Sequence, residues 1–522
     1  MKITLIAPRI EPAAMNFRFA MDLVGRSFSH IPLNLATLAA LTPADVEVVI
    51  VDENVETLDL DMSTDVVAFT GIYIQRRRLF ELAEAFRKRG KIVAIGGSIA
   101  TDLEADCRAL ADAVFVGEAE YTWPQFVADA RAGTIAPVYR QTELVDMKDS
   151  PIPRLDLVRG ERYASGCIQA TRGCPYRCEY CDVPTKDGGR PRSKPVERVL
   201  EEIRQHARLG YDSIFFVDDH FAGNREYVRT LLRGIIALLP TLPGPMYFYT
   251  QVTLNVARDP ELLDLFHAAG FRRFFIGIET SSTDSLRAMN KGHNIEMDMR
   301  EAIAAIQARN ITIWAGIILG LDGDDEAAFD HQLRFIQETS ITPTLIGLLQ
   351  AMPGAPLYER AKAEGRFKVL PDVVGSGAYG AVSTRGVTNF TPKRMTEQAL
   401  MDGFARVVRG VFDPQNYGDR LLAGTGKGLK PQPSTVQALH WNNILVVGRT
   451  VRYFLFQADA GSRKFFLRVM GAIIARRFRG FEELFFHIVI YKHLRHFYLD
   501  APAEAATLGL PPRATSEKEA AV

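Results

Sequence analysis

The sequence contains no long apolar run. None of its stretches approaches the roughly 18 consecutive apolar residues that cross a bilayer, so we expect no membrane-spanning helix. The opening residues form a strand-like run that ends at Pro8, which is too short and too early for a signal peptide. We therefore expect a cytoplasmic protein.

The chain also lacks a net charge and has few cysteines. Its 62 Lys and Arg residues balance 62 Asp and Glu residues, so no overall field attracts nucleic acid, and we predict no nucleic-acid partner. Five cysteines in 522 residues, three of them clustered, do not build a disulfide framework and instead indicate a reducing cytosol and a metal. With 47% hydrophobic and 24% charged residues, the composition is that of a globular protein of two or three domains.

The three clustered cysteines are Cys174, Cys178 and Cys181, at C-x3-C-x2-C spacing. A structural zinc site normally takes four protein ligands, whereas a cubane iron–sulfur cluster held by three thiolates keeps one iron open to another ligand. A glycine and a proline within the segment predict a loop, on which the thiols can converge. The alternatives to an iron–sulfur cluster at these cysteines are a zinc site or three unrelated cysteines. Cys167 is predicted to be a strand residue, because a fourth thiolate would close the open iron.

Residues 1–145 alternate short apolar runs with helix-compatible stretches. The runs lie at 3–7, 46–51, 66–71, 92–97 and 113–117. This pattern predicts an α/β domain with a doubly wound, Rossmann-like parallel sheet, whose ligands bind beyond the carboxyl ends of the strands. The polar residues and glycines at those ends are Asp52, Glu53, Gly71, Gly96, Gly97, Gly117 and Glu118. For any one of these glycines the alternative is a tight turn between strand and helix.

A linker centred on two prolines is predicted at 146–166, and a second strand–helix alternation follows at 167–365. Its strands are predicted at 168–171, 213–217, 246–252, 273–278, 312–319 and 344–350. Six such units predict a partial (β/α)6 barrel with its function at the carboxyl ends of the strands. The first strand leads directly into the cysteine segment, which places a cluster at that face.

Residues 366–500 are predicted to form a helical C-terminal domain, and 501–522 a disordered tail. In 464–479, Lys464, Arg468, Arg476 and Arg479 share one helical face, and the opposite face carries Phe466, Val469, Met470 and Ile473. A basic amphipathic helix of this kind lies on an anionic membrane surface or, more commonly, packs its apolar face on the rest of the protein.

The cysteine spacing and the barrel pattern resemble the radical S-adenosylmethionine (SAM) superfamily over about residues 167–365. The resemblance implies a [4Fe-4S] cluster on the three thiolates, SAM on the open iron, and cleavage of SAM to a 5′-deoxyadenosyl radical by an electron from flavodoxin, ferredoxin or a similar reductant. It assigns five SAM contacts, namely Tyr180 near the adenine, Asp218 and Asp219 at the ammonium group, Glu279 at the ribose and Gly316 beside the adenine. For the two aspartates the alternative is a surface turn.

The N-terminal domain resembles the cobalamin-binding domain that precedes many radical SAM barrels. The resemblance assigns the seven strand-end residues of this domain to cobalamin. The pattern Asp218-x-His220-x-x-Gly223 matches a cobalt-binding motif of other proteins, but it follows a barrel strand and we interpret it as coincidence. The N-terminal domain then has no histidine for the lower face of cobalt, which similar radical SAM proteins commonly lack. The alternative is a domain of the same fold that has lost its ligand.

The three-domain combination resembles cobalamin-dependent radical SAM C-methyltransferases of the hopanoid C-2 methylase type. The similar segments are 254–258, 317–322, 348–358 and 403–417. The resemblance implies methylation of an unactivated carbon of a small apolar substrate, such as a hopanoid or another lipid, with peripheral membrane contact through the C-terminal helices. One alternative is a cobalamin-dependent oxidative cyclase or ring-rearranging enzyme, acting for example on a tetrapyrrole. Another is a non-catalytic iron–sulfur protein.

Overall fold

A computed structural model describes residues 1–368, 378–379, 382–383, 387–425, 441–477 and 480–501. Its first 145 residues hold seven strands: β1 (Lys2–Ala7), β2 (Phe28–His30), β3 (Glu47–Asp52), β4 (Val66–Thr70), β5 (Ile92–Gly96), β6 (Ala113–Val116) and β7 (Val138–Arg140). All except β2 form one parallel sheet in the order β3-β1-β4-β5-β6-β7. The helices are α1 (Met21–Val24), α2 (Leu33–Leu41), α3 (Arg76–Arg87), α4 (Ser98–Asp102), α5 (Glu104–Leu110) and α6 (Thr122–Ala132).

This sheet has an apolar core on each face, which confirms the doubly wound prediction. One core gathers around Trp123 and Phe126 of α6, and the other around Leu79 and Phe86 of α3. A strand buried on both faces reads as a continuous apolar run, and β4 is buried at all five positions. The predicted strands therefore match the observed ones to within one residue at each end.

A second, nine-stranded sheet forms the partial barrel. The strands that follow the linker are β8 (Tyr163–Ile168), β9 (Thr171–Arg172), β10 (Arg192–Ser193), β11 (Ser213–Phe216), β12 (Tyr247–Val252), β13 (Phe271–Glu279), β14 (Thr312–Leu319), β15 (Thr344–Leu349), β16 (Ala378–Tyr379) and β17 (Val382–Ser383). The order is β16-β17-β15-β14-β13-β12-β11-β8-β2, with β9 and β10 apart as a small hairpin. The six strands from β8 to β15 in this sheet are parallel, as the six predicted units require.

Eight helices cover the barrel or flank its loops: α7 (Val183–Lys186), α8 (Val196–Arg208), α9 (Arg225–Leu238), α10 (Pro260–Ala268), α11 (Thr283–Ala288), α12 (Met299–Gln307), α13 (Ala328–Thr339) and α14 (Pro356–Ala363). On β11 and β12, Ile214, Phe216 and Phe248 are fully buried in the core beneath the helices, whereas Phe215 and Tyr249 are half-buried. This period of two places the half-buried residues on the inner side of the curved sheet.

The C-terminal helices are α15 (Glu397–Phe412), α16 (Pro414–Gly424), α17 (Trp441–Phe456), α18 (Ala460–Ala475) and α19 (Phe481–Arg495), followed by a π-helical turn (His496–Asp500). They share one apolar core with the barrel. Phe466, Val469 and Ile473 of α18 are buried in that core, so the predicted apolar face packs on the protein. Arg479 and the predicted tail beyond Ala501 lie outside the described residues.

Short 3₁₀ turns complete the described elements: Arg18–Ala20, Tyr73–Gln75, Leu155–Leu157, Gly160–Arg162, Phe221–Gly223, Leu239–Thr241, Leu254–Arg258 and Gly292–Asn294. Across the described ranges, no helix combines the length and the apolar character needed to span a bilayer.

Two features of the barrel sheet differ from the sequence prediction. Its first strand was expected at 168–171 but is β8, which begins inside the predicted linker and contains the buried Cys167. The residues before Cys167 include glycine and serine, so the apolar pattern did not mark them as a strand. The edge strand β2 comes from the N-terminal region and pairs Phe28 with Tyr163. This pairing spans more than 130 residues of chain, so local periodicity could not indicate it.

Candidate active site

The cysteine segment follows the end of β8 and is folded as a tight loop. Gly173 has φ +94°, and a side chain there would meet the carbonyl oxygen of Gly188 at 2.7 Å, so the position requires glycine. The amide of Cys174 donates to the same carbonyl at 3.2 Å, and the amide of Cys181 donates to the carbonyl of Cys178 at 3.1 Å. The backbone thus fixes the three thiol-bearing residues on one loop.

The side chains of the three cysteines are at least half-buried. Three buried thiols suit an iron–sulfur cluster, whose iron ions carry the positive charge that stabilises thiolates. Burial raises the pKa of Cys174 to about 11 and that of Cys181 to about 12, so the thiolates needed for ligation depend on the positive charge of bound iron. Within the described ranges, no three His, Cys, Asp or Glu side chains are already gathered to hold a single metal ion. Three thiolates on one loop are the donor set of a cubane cluster that keeps one iron open.

Asp218 and Asp219 lie at the carboxyl end of β11 and brace the approach to the cysteines. The fully buried Asp218 carboxylate accepts hydrogen bonds from the amides of Thr171 and Ala170, the latter at 3.3 Å. Asp219 accepts from the amide of Gly173 at 2.8 Å. Burial raises the pKa of Asp218 to about 7. Both side chains are beside the cysteine loop, as expected, and their contact with SAM stays a prediction.

Tyr180, Glu279 and Lys291 form a buried triad behind the cysteines. The Tyr180 hydroxyl donates to Glu279 Oε1 at 2.9 Å, and Lys291 Nζ donates to the Tyr180 oxygen at 3.0 Å and to Glu279. Although burial opposes its charge, the Glu279 carboxylate raises the pKa of Lys291. The sequence prediction named Tyr180 and Glu279 but missed Lys291, because a lysine in a polar turn reads as a surface residue.

A backbone irregularity makes room for this triad. Glu279 has φ +65°, and the register between β13 and β14 shifts between Gly277 and Glu279. A side chain at Gly277 would lie 2.2 Å from Glu279 Oε1 and 2.9 Å from Lys291 Nζ. Gly316 is the register partner of Gly277 on the neighbouring strand. The absence of a side chain at Gly277 therefore gives the Glu279 carboxylate and the Lys291 ammonium the space in which they pair.

Neutral aromatic side chains pack the other flank of the cysteine loop. Tyr176 stacks on His293 with ring centroids 3.8 Å apart, and its hydroxyl accepts from Asn255 Nδ2 at 2.5 Å. His220 lies 5.5 Å from the Tyr176 ring. Burial lowers the pKa of His220 to about 4 and that of His293 to about 3, so both rings are neutral at pH 7. His220 thus packs beside the cysteine segment and lies apart from the N-terminal sheet.

A cavity of about 320 Å³ opens at the carboxyl ends of the N-terminal strands. Asp52, Gly71 and Gly97 line it, whereas Glu53 and Gly96 do not. Gly97 has φ +86°, and a side chain there would meet the carbonyl oxygen of Gly71 at 2.5 Å, so the two loops at this edge pack too closely for any residue but glycine. The cavity lies at the position where doubly wound sheets bind their ligands.

The opposite wall of this cavity belongs to the barrel sheet. His30 of β2 lines the cavity, and its Nε2 lies 2.8 Å from the Tyr249 hydroxyl on the inner side of β12. Burial lowers the pKa of His30 to about 4, so the ring is neutral at pH 7. The sequence prediction missed His30 because β2 was not recognised as a barrel strand. The cavity and the barrel interior are therefore in direct contact.

Neither Gly117 nor Glu118 lines the cavity: Gly117 is exposed, and Glu118 lies at the interface between the two sheets. Glu118 accepts from Arg172 Nη1 at 2.6 Å and from Arg192 Nη2 at 2.7 Å, and Glu120 accepts from Arg172 Nη2 at 2.8 Å. Arg172 and Arg192 belong to the β9–β10 hairpin, next to the cysteines. The N-terminal domain thus holds the cysteine segment through buried charges, and the role of Glu118 toward cobalamin stays a prediction.

Comparisons with known proteins agree with this architecture. The radical SAM superfamily model matches residues 168–336, and a domain of unknown function matches 355–505. The chain is 32% identical to an uncharacterized methyltransferase of Synechocystis (80% of this chain, 78% of that one) and 32% identical to the hopanoid C-2 methylase of Rhodopseudomonas palustris (70% and 71%). Its fold is similar to that of the cobalamin-dependent SAM radical enzyme OxsB, with TM-score 0.60 and 15% identity over 99% of this chain and 82% of that one.

Proposed function

The chain belongs to the radical SAM superfamily, among its methyltransferases, and on this premise we propose that it methylates an unactivated carbon of an apolar substrate with cobalamin as the methyl carrier. The observation that carries the proposal is the cavity shared by the N-terminal sheet and the barrel. His30 lines this cavity and contacts Tyr249 inside the barrel, so a ligand held there is adjacent to a substrate held in the barrel.

The residues of the chain hold and orient the reacting groups. Bound SAM on the cluster would supply the 5′-deoxyadenosyl radical, and bound cobalamin the methyl group. Cys174, Cys178 and Cys181 would ligate the cluster, while Asp218 and Asp219 keep their loop in place. Lys291 offers a cation to the SAM carboxylate, and Glu279 an acceptor to the ribose hydroxyls. We assign Tyr180 and Gly316 to the adenine side of the same site.

The inner surface of the barrel supports an apolar substrate. Phe215 stacks on Tyr249 with centroids 4.8 Å apart, and Trp314 stacks on Phe486 at 5.7 Å. Phe275 adds a fifth ring from β13, half-buried on the same side of the sheet. Aromatic walls of this kind bind fused aliphatic rings through apolar contact area. We propose a hopanoid or similar polycyclic lipid, which also requires the enzyme to contact a membrane surface peripherally.

The test is anaerobic purification with cobalamin supplied, followed by iron and cobalt quantification and product mass spectrometry. The proposal expects one cubane and one cobalamin per chain, and a product heavier than the substrate by one CH2. Product without this gain would support a ring-forming or ring-rearranging reaction instead. Absence of SAM cleavage by the reduced protein, with an electron donor such as flavodoxin, would support the non-catalytic alternative. Iron without cobalt would remove the methyl carrier from the proposal.

A further inference from the structure

The helices α17 and α18 carry an unusual share of the exposed apolar side chains. Of nine large hydrophobic residues that are exposed in the described part of the chain, five lie between 441 and 477. Phe456 is 78% exposed, Ile474 60%, Leu467 53% and Leu445 51%. Single exposed apolar residues are ordinary on a protein surface, but a cluster of this kind marks a site of interaction.

The same segment carries a strong positive charge. Residues 441–477 contain seven Lys and Arg residues against one acidic residue, Asp459, in a chain whose net charge is zero. Arg452 and Lys464 are exposed, and Arg468 pairs with Asp419 at 2.6 Å. Exposed apolar groups are thus interspersed with cations, a combination that suits a surface both apolar and anionic.

The helical positions of these residues show that they point away from the core. On α17, Thr450 and Phe454 are buried, and on α18 the buried positions are Ser462, Phe465, Phe466, Val469 and Ile473. Phe454 stacks on Phe466 with centroids 5.1 Å apart, so the two helices share one buried side. Leu445, Arg452 and Phe456 lie opposite the buried stripe of α17, and Lys464, Leu467 and Ile474 opposite or beside that of α18. We call these six residues the outward face.

Two glycines on the outward side of these helices show that the space next to them is empty of described residues. A side chain added at Gly448 of α17 or at Gly471 of α18 would meet no atom within 4 Å in the described structure. Both glycines belong to the exposed stripes of their helices. Leu445 borders a small pocket with Val24, Gly25 and Arg26, and the described elements leave the rest of this side of the helical pair uncovered.

We propose that the outward face docks on a membrane surface that contains anionic lipids. Leu445, Phe456, Leu467 and Ile474 would enter the boundary between headgroups and acyl chains, while Arg452 and Lys464 would pair with lipid phosphates. A second copy of the chain is disfavoured as the occupant, because a two-fold interface would bring two positively charged faces together. The inference rests on the proposed function in one respect, since it explains how the enzyme reaches an apolar substrate dissolved in lipid.

Vesicle flotation of the full chain, with cluster and cobalamin bound, tests this proposal without turnover. We expect the protein to float with vesicles of phosphatidylcholine and phosphatidylglycerol, and far less with phosphatidylcholine alone or at high salt. Phe456→Ser with Leu467→Ser, and separately Arg452→Glu with Lys464→Glu, should each lower the partition coefficient about tenfold or more. Their matched controls are Leu209→Ser and Arg108→Glu, exposed residues elsewhere that should leave flotation unchanged.

Several results would overturn the membrane assignment. In the first, the wild-type protein does not float with anionic vesicles. In the second, the outward-face variants float as well as the wild type. In the third, the wild type is a dimer and the same variants are monomers. Iron content and circular dichroism verify that each variant is folded. Methyl transfer to detergent-dispersed substrate should be unchanged in the outward-face variants, so a failure of docking and a failure of the proposed reaction give different results.

Discussion

At the scale of single residues, the site depends on charges that are buried in pairs. Lys291 is 5% exposed and Glu279 7% exposed, and both contact the Tyr180 hydroxyl. A buried ion pair contributes modestly to stability when intact, but either partner left alone is an uncompensated charge. These side chains are therefore constrained by the fold as well as by the ligand that we propose for them.

Replacing Lys291 by methionine should destabilise the barrel and abolish SAM cleavage. Glu279 would remain buried without its cation, at a cost of about 3–5 kcal/mol, measured by urea unfolding. The control Lys88→Met removes an exposed pair with Glu84 and should leave the free energy of unfolding nearly unchanged. The double variant Glu279→Gln, Lys291→Met should regain part of the stability without regaining SAM cleavage. A single variant as stable as wild type would contradict this account.

The buried His493 side chain should make the folded protein less stable in acid. Its Nδ1 accepts from the amide of Phe19 at 3.3 Å and its Nε2 lies 3.2 Å from the carbonyls of Ala13 and Ala14, so the folded state requires a neutral ring. Burial lowers its pKa from 6.5 to about 3. As the pH falls, the histidine therefore takes up a proton in the unfolded chain before it does so in the folded one. The contribution of the neutral ring to the free energy of unfolding is complete above pH 6.5 and is lost as the pH falls toward 3.

The measurement for His493 is unfolding free energy against pH. Between the two pKa values the histidine should contribute a slope of about 1.4 kcal/mol per pH unit. His493→Gln keeps a donor and an acceptor but does not titrate, so its profile should be flatter by that amount. His331→Gln, at an exposed helix position, is the control for a histidine substitution elsewhere in the chain. Equal slopes in wild type and His493→Gln would refute the assignment.

At the scale of elements, the cysteine segment is held from two sides. The carboxylates at the end of β11 bind the amides that precede Cys174, and the N-terminal domain binds the β9–β10 hairpin through Glu118 and Glu120. Burial opposes the charge of Glu118, but Arg192 and Arg172 hold its pKa below the usual value. The position of the cysteine segment is thus linked to the position of the N-terminal sheet.

Glu118→Gln should uncouple the two halves of the reaction. With less negative charge facing Arg172 and Arg192, the hairpin is expected to shift relative to the N-terminal sheet. We expect SAM to be cleaved still, while the rate of methyl transfer falls at least about tenfold, because a misplacement of the reacting groups by about 1 Å lowers a rate by that much or more. The measurement is the ratio of 5′-deoxyadenosine to methylated product, with iron content as a second readout. Glu104→Gln, which loses a pair with Arg140 farther out, should keep the wild-type ratio. Loss of both products in equal measure would argue against positioning.

At the scale of the whole molecule, residues 13–30 tie all three parts together. Phe17 contacts Trp314 of the barrel at 5.3 Å and His493 of α19 at 5.5 Å, and β2 extends the barrel sheet. The domain boundaries inferred from sequence, 1–145 and 167–365, remain a prediction, and the packing joins residues of the first segment to the core of the second. A chain connected in this way is expected to unfold cooperatively.

Calorimetry of the intact chain should show one main unfolding transition. Phe17→Ala at the junction and Phe69→Ala in the N-terminal core each remove a buried ring, at about 3–5 kcal/mol, and both should lower the same transition. If the proposed cobalamin site is correct, added cobalamin should raise the temperature of that transition in the wild type, because a ligand of the folded state stabilises it. Separate transitions for the N-terminal sheet and the barrel, with Phe69→Ala moving only one, would contradict the shared packing.

The sequence by itself determined the features that depend on short-range pattern. Most strand positions of both sheets, the three-thiolate spacing and the strand-end location of Asp218 and Glu279 follow from burial alternation and turn chemistry over a few residues, whereas β2 and the start of β8 do not. These features are local, because each residue's preference for core or turn is expressed within its own element.

Only the tertiary structure decided which distant residues meet. It brought His30 to the cavity, Lys291 to Glu279, and Glu118 to Arg172, and it left the α17–α18 pair with a face that is both apolar and cationic. Each of these contacts joins separate elements, so it depends on how the sheets and helices pack rather than on any local period. A lysine or glutamate in a polar turn has the same sequence pattern whether its side chain is exposed to solvent or buried in an ion pair. The packing of the folded core determines which of the two occurs.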